Sequence, residues 1–528
     1  VLPENVGADA TKPADMQRWL FKPLEDFMIR WLTVLLVASF ATTLAAADPQ
    51  NGTLESATQA LGADHIQSIE YSGTGKWFRF GQEPNPNVLA PEYEVTGYTA
   101  TIDYNNAAMH VRMASKPVVD PTRWRRVPET VGNVGSEGLA QEFVAGDVAW
   151  ILGQPGGPGT GLPVAAVPDA GNAEGRGMDI WATPQGFLRA AAANHATSKP
   201  INGGGTEVTF MLGKHKVVGR INARNQVYMI HYRIDHPVLG DMLCEAGFYE
   251  YRDFGGVMFP SHIVRVQGGK IRLEVNVSEV KANPAVSIPV PPGMREAMTA
   301  PVTATAEKLS EGVYWIRGWQ YHSVAIDQGD HIVVIDAPLN EARSLAVIAK
   351  VKETIPNKPI RYLINTHAHY DHSGGVRTYA DEGSTIVTMP MNQEFYEQAW
   401  RTPHTLNPDR LEISKKTPKF LPVINGKLVL ADSKRPIEIH QQVGTAHCDA
   451  MLMVYLPVEK ILVEVDSFNT EALTAPRIDS IAGDFVSQFI MNLNENILRL
   501  KLDVRTIVPL HGPRTTTMAE MRQALLIE

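Results

Sequence analysis

A chain of 528 residues, 44% hydrophobic and 20% charged, has the make-up of a globular protein, with room for about three domains at roughly 150 residues each. Its formal net charge of -9 and the lack of a long basic run argue against a nucleic-acid partner, since nothing would neutralise a phosphate backbone. Only two cysteines occur, Cys244 and Cys448, which excludes a disulfide-stapled scaffold and a cysteine-rich zinc site; free thiols are expected rather than a bridge.

Near the start, Met28-Ile29-Arg30 gives a positive beginning, Trp31–Leu44 an apolar run, and Ala45-Ala46-Ala47 small residues before Asp48. Over 28–47 this is the layout of a secretory signal peptide cleaved near Ala47. The apolar run is shorter than the roughly 20 residues that span a bilayer. Export to the periplasm or the extracellular space is therefore expected, with no stable membrane insertion once the signal is removed. Val1–Phe27, which contains Asp, Glu and Pro, is read as an upstream segment without a structural role.

From about Thr58 to Lys281 apolar and polar residues mostly alternate. Tyr93–Tyr104 is one such stretch, Asn105-Asn106 marks a turn, and Met109–Met113 resumes the pattern. Lys216–Ile221, Val227–Ile234 and Ile271–Val277 read alike, each bounded by Gly, Asn or Pro. Such alternation predicts antiparallel sheet with one solvated face, interrupted by a short helix at Pro184–Asn194. The run Gly153–Gly161 fits no phosphate-binding spacing and is expected to be a flexible connection. Tyr249–Pro260, followed by further alternating strands, resembles the curved sheets of lipoprotein-carrier proteins. That resemblance implies a concave apolar face able to hold a lipid-like ligand or to dock on a catalytic domain. Next, Asn283–Gly293 carries prolines at a density that fixes φ and removes donors, as in an extended linker. The expected layout is a β-rich domain at 48–282, a linker at 283–304 and a second domain at 305–528.

Beyond the linker the texture changes. Gly312–Ile316 and Ser323–Ile326 are strand-like, Ile332–Ile335 is a fully apolar strand ending at Asp336, and a helix is expected at Glu341–Glu353 before a strand at Ile360–Ile364. Strands alternating with helices predict an α/β layered core. The segment between the strands expected at Thr385–Met389 and Lys427–Leu430 holds Phe395, Tyr396, Trp400 and His404, and forms either a lid over a site or a helical excursion packed outside.

Directly after Ile364-Asn365 comes Thr366-His367-Ala368-His369-Tyr370-Asp371-His372-Ser373-Gly374-Gly375. In an extended segment residues two apart point the same way, so His367 and His369 can reach one ion. Asp371 and His372 then fall where they can address a second ion beside it. Ser373 is placed to cap the following helix. The plain alternative, a set of ordinary hydrogen-bonded histidines, fits poorly with an internal cluster that follows an apolar strand and includes a carboxylate. Nitrogen and oxygen donors in this number suit zinc.

This string resembles the His-x-His-x-Asp-His signature of the metallo-β-lactamase superfamily, and three further motifs follow in the family's order. Gly444–Asp449 supplies His447, the apolar run Ile461–Val465 ends in Asp466, and Ile507–Gly512 contains His511. The resemblance implies an α/β fold in which two sheets stack between helices, preceded here by the mainly antiparallel β domain. It also implies two zinc ions: one held by His367, His369 and His447, the other by Asp371, His372 and His511, with Asp466 bridging. Two such cations drive a shared water toward hydroxide at neutral pH. Asp371 would ligate, orient the hydroxide and pass its proton toward the leaving group, and Asp336 would either support a ligand histidine or cap its strand. The best-known β-lactamases carry Cys at the bridging position, so Asp466 turns the expectation toward a carboxylic ester, lactone or amide of a small-molecule substrate. Phosphodiester or β-lactam cleavage is the alternative on the same site. An apolar-ligand-binding protein with a vestigial metal domain is a third reading, which the complete ligand set opposes. Oligomeric state is not legible.

Overall fold

The computed structural model describes residues 52–118, 138–153, 163–468 and 485–525. The expected signal peptide at 28–47, the upstream segment 1–27, and the expected flexible connection beyond Gly153 lie outside the described residues.

The alternating half of the chain forms a 13-stranded sheet, each strand antiparallel to its neighbours. Ser68–Phe78 pairs on one side with Glu92–Asp103 and on the other with Lys270–Ala282, so the two ends of this region meet at mid-sheet. From that seam strands run outward in chain order to Ala165–Pro168 at one edge, and in reverse order to Thr197–Ile201 at the other. Between the edge strands the chain crosses one face as the helices Ala173–Trp181 and Pro184–Ala193. The second matches the expected Pro184–Asn194; Thr183 caps it by accepting from the Gly186 amide, and Pro sits in its first turn. Phe187, Leu188, Ala190 and Ala191 bury against Val208, Phe210, Val217 and Ile230 of the strands. The chain's own helices thus cover these apolar side chains of the sheet.

The expected linker is less extended than its prolines suggest. Met294–Thr299 is a short helix, and Met294 is buried with Val148 and Trp150 of the sheet, Ile288 and Met298 packing alongside. The described residues form one compact unit.

Two stacked sheets follow. The 7-stranded one runs from Thr305–Ser310 to Lys419–Pro422 in chain order, antiparallel through Ile332–Ile335 and parallel from there on. The 6-stranded one runs from Lys427–Leu430 to Thr516–Thr517. Period-two alternation sets the layers. Trp315, Val324, Val333, Ile335 and Ile364 face Ile439, Val454, Val463 and Val508 across the sheet-sheet interface. Their neighbours Ile316, Ala325, Val334 and Leu363 face outward onto the helices Glu341–Thr354 and Val376–Glu382. On the opposite side Met453, Leu462 and Ile507 pack against Ile490, Leu493 and Ile497 of Phe485–Leu500. Strands covered on both faces have no polar side, which is why Ile332–Ile335 reads as an unbroken apolar run. Cys244 and Cys448 are buried free thiols.

Close packing in the first sheet gives a direct test. A Cβ on Gly219 would overlap the Phe187 ring. Gly219→Ala is expected to lose about 1–3 kcal/mol of stability to overpacking, read as a lower urea midpoint at unchanged slope. An unchanged midpoint would mean that helix Pro184–Ala193 shifts freely on the sheet.

Candidate metal centre

Five loops converge at one edge of the stacked sheets, four of them immediately beyond strand ends. Asp336 follows Ile332–Ile335, the histidine string follows Ile360–Ile364, Asp466 follows Ile461–Glu464, and His511 follows Thr506–Pro509; His447 lies in the loop before Leu452–Leu456. His367, His369, His447 and Asp466 offer ligand atoms within 4.8 Å of one another, and so do Asp371, His372 and His511. These are the seven residues expected from the sequence, in the two expected groups.

Asp466 joins the groups. Its Oδ2 lies 3.3 Å from His367 Nε2, 3.1 Å from His447 Nε2 and 3.2 Å from His372 Nε2, and its Oδ1 lies 3.3 Å from His511 Nε2. Asp371 Oδ2 stands 3.8 Å from His372 Nε2 and 3.7 Å from His511 Nε2. His367 and His372 are fully buried, whereas the His511 side chain is 24% exposed, so the cluster opens on the His511 side. Burial opposes charge on Asp466, yet the imidazoles of His372, His511 and His447 hold its carboxyl well below the usual range. Burial likewise works against charge on His372, but Asp466, Asp371 and Asp336 raise its pKa well above the ordinary histidine value. His367 and His369 are lowered, chiefly by burial, toward the neutral form that ligates metals.

The donor set fits a pair of cations. His367 Nε2, His369 Nδ1, His372 Nε2, His447 Nε2 and Asp466 Oδ2 are all buried without a hydrogen bond, and buried polar atoms are otherwise almost always partnered. Nitrogen and carboxylate donors of this kind suit zinc.

The opposite ring atoms are fixed by neighbours. Asp336 accepts from the Thr366 amide (2.8 Å) and hydroxyl (2.8 Å) and from His372 Nδ1 (3.0 Å), which leaves His372 Nε2 for the cluster. It therefore holds the His372 ring, the contact that the first of its two expected roles requires. With its proton committed to Asp336, the Thr366 hydroxyl accepts from His367 Nδ1 at 3.2 Å. His369 differs: its Nε2 donates to the backbone carbonyl of Glu83 at 2.9 Å, so Nδ1 faces inward. Both Asp336 (φ 60°) and Asp466 (φ 51°) adopt the left-handed backbone, which Asp tolerates better than most residues. Ser373 lies in the one-turn helix Tyr370–Ser373 and donates to the Ala368 carbonyl; Gly375, not Ser373, stands at the N-cap of Val376–Glu382. A carbonyl just before the one-turn helix takes the hydroxyl that the sequence assigns to capping.

The segment 390–418 carries the helices Pro390–Ala399 and Arg410–Ser414, and Asn392 and Phe395 of the first line a small pocket with His369. Tyr396 lies buried beneath the histidine string and donates to Asn365 Oδ1 (2.7 Å), while Asn365 Nδ2 donates to the His367 carbonyl (2.9 Å). Further along, the amides of Thr405 and Leu406 donate to Asp241 of the 13-stranded sheet. Sequence reading missed these supports, together with Glu464, whose Oε2 accepts from the Ser467 and Phe468 amides (3.1 Å each) and so holds the turn that carries Asp466. It also missed Gln82, whose amide donates to Asp371 Oδ1 at 2.8 Å.

Two layered sheets thus carry a histidine-carboxylate cluster at their loop edge, in two groups that could each hold a metal ion. Residues 316–463 match the model of the metallo-beta-lactamase superfamily, the family whose motif order the sequence resembles. Over 76 residues the chain is 32% identical to a linear primary-alkylsulfatase of a Pseudomonas species (14% of this chain, 11% of that protein) and 30% identical to an alkyl/aryl-sulfatase of Saccharomyces cerevisiae (14% and 12%). It thus spans about a tenth of the length of these curated relatives. Solved structures similar to it include metallo-beta-lactamases from Pontibacter korlensis (18% identity, TM-score 0.32, 43% of this chain and 98% of that one) and Hirschia baltica (19%, 0.30, 42% and 97%). Among the described residues no helix is long and apolar enough to cross a membrane.

Asp336→Asn, which keeps the backbone preference but removes the charge, is expected to weaken binding of the ion at His372 by about 10–100-fold. Chelator-competition titration reads this out; wild-type affinity would show that Thr366 and His372 need no anionic acceptor.

Proposed function

We propose that this chain is an exported hydrolase that holds two zinc ions and cleaves a carboxylic ester, lactone or amide bond in a small-molecule substrate. The observation that carries the reading is the position of Asp466, one carboxylate within 3.3 Å of imidazole nitrogens from both ligand groups. His367, His369 and His447 would hold one ion, and Asp371, His372 and His511 the other, with Asp466 shared. When bound, the ions supply a water ionised near neutral pH and positive charge for the developing oxyanion. The chain's own part is orientation and proton handling. Asp371 lies on the more exposed side of the cluster with His511, where it can align the attacking water and carry a proton toward the leaving group. Residues 305–528 are taken as the catalytic domain, 48–282 as the β domain that precedes it, 283–304 as their connection, and 28–47 as the export signal.

Sulfate-ester cleavage is a second reading, favoured by the names of the two curated relatives. The short matched length leaves the scissile bond to experiment. Zinc-loaded protein should be tested on an aryl acetate, a lactone, a cephalosporin, an alkyl sulfate and a bis-aryl phosphate. Fastest turnover of the acetate or lactone is expected; preference for the alkyl sulfate would replace the first reading with the second, and no turnover at full metal loading would refute both.

Asp371→Ala is expected to lower kcat by about 10²–10⁴-fold while the far-ultraviolet circular dichroism stays unchanged. Retained activity would remove its assigned role. Stripping the metal with a chelator should lower the thermal midpoint, because ions that bind only the folded state stabilise it; a midpoint insensitive to zinc would count against the site.

A further inference from the structure

The metal centre is not built by the C-terminal region alone. The segment between the sheet strands Ser68–Phe78 and Glu92–Asp103 reaches across to two of the loops that carry candidate ligands. At the first loop the Gly81 carbonyl accepts from the Tyr370 amide at 3.3 Å, and the Tyr370 ring packs against Phe80 and His236 with centroids 5.3 and 4.6 Å away. Gly81 has φ +85°, and a Cβ there would overlap the Tyr370 ring, so the approach depends on glycine. At the second loop the Pro84 carbonyl accepts from the Asp449 amide (2.8 Å) and Asn85 Nδ2 donates to the Asp449 carboxylate (2.6 Å), two residues beyond His447. Lys270 holds the segment from behind by donating to the Pro86 carbonyl at 3.0 Å.

Held at both ends, the segment places Gln82 against Asp371. Its side-chain amide donates to Oδ1, while Oδ2 is the oxygen turned toward His372 and His511. A carboxylate on a rotatable bond can offer either oxygen, or both, to a cation. A neutral donor fixed on one of them selects the other without adding charge. We propose that Gln82 is a positioning residue of the metal centre: it commits Asp371 to ligate the second ion through Oδ2, and so makes the 13-stranded sheet part of the catalytic unit. The inference rests on the assignment of Asp371, His372 and His511 as the second ion's ligands. It gives the β-rich region a task in the reaction that composition and strand patterning left open.

The test uses the full chain, zinc ions alone as probe, and three variants. Gln82→Met keeps length and removes the donor; Gln82→Ala removes the side chain; Asp371→Ala is the control. Zinc is titrated against a chromophoric chelator, stoichiometry is counted by elemental analysis, and thermal unfolding of the apo proteins is recorded. Both Gln82 variants are expected to bind the first ion as the wild type does and the second about 10–100-fold more weakly. On whichever substrate is cleaved, kcat should fall while KM holds. A wild-type titration for both Gln82 variants, with the second ion lost in Asp371→Ala, would overturn the role of Gln82 and leave the metal site standing. Two ions bound at wild-type affinity by Asp371→Ala would instead overturn the ligand assignment beneath it. If both ions weaken in parallel and apo stability drops, Gln82 is a structural support of the seam, and the proposal fails.

Discussion

The structure turns on a buried carboxylate among imidazoles. Asp466 sits within hydrogen-bonding range of four histidine nitrogens that come from three different loops, yet its Oδ2 makes no hydrogen bond. Removing such a charge from water costs several kcal/mol unless positive charge meets it. His372 meets part of that need, raised toward its charged form by Asp466, Asp371 and Asp336 against the effect of burial. A dication at each ligand group would meet the rest and displace that proton, so metal loading would be linked to proton release.

That convergence is a consequence of strand order. Ile332–Ile335, Ile360–Ile364 and Thr385–Thr388 run parallel, as do Ile461–Glu464 and Thr506–Pro509 in the second sheet. Parallel neighbours deliver their C-terminal ends to the same edge, where open α/β sheets gather their functional loops. Apolar alternation stacks the sheets and so brings Asp336 and the histidine string of the one beside Asp466 and His511 of the other. Turns at the edge then take unusual backbone, as at Asp336 and Asp466, and buried side chains such as Glu464 and Asn365 hold them there.

The parts legible in the sequence were those that local spacing encodes. His367, His369, Asp371 and His372 lie within six positions, and period-two alternation marked most strands to within a few residues. His447, Asp466 and His511 lie 80 to 144 positions beyond His367 and were legible only through the order of family motifs. The family model ends at residue 463, so the placement of Asp466 and His511 rests on the fold itself. Contacts that are both distant and chemically plain left no trace. Gln82 and Asp371 are 289 residues apart, and a glutamine in a loop after a strand has no distinguishing pattern. Ser373 was misplaced for the converse reason: serine before a helix is a common cap, and here a one-turn helix intervened.

The three rings of the histidine string show how support outside the ligand set decides what the ligands do. An imidazole presents one nitrogen to a metal only if the other carries the proton, and that choice belongs to the partner of the second nitrogen. Asp336 accepts, so His372 Nδ1 donates and Nε2 faces the cluster. The Thr366 hydroxyl, its own proton given to Asp336, imposes the same choice on His367. At His369 the acceptor is a carbonyl 286 residues away in sequence, and it reverses the choice, turning Nδ1 inward. Without the Glu83 carbonyl nothing on this side would distinguish the two nitrogens of His369, and a neutral ring flipped by half a turn would present the wrong one. The segment between two strands of the 13-stranded sheet thus sets which nitrogen His369 turns into the cluster, just as a side chain from the same segment contacts the Asp371 carboxylate.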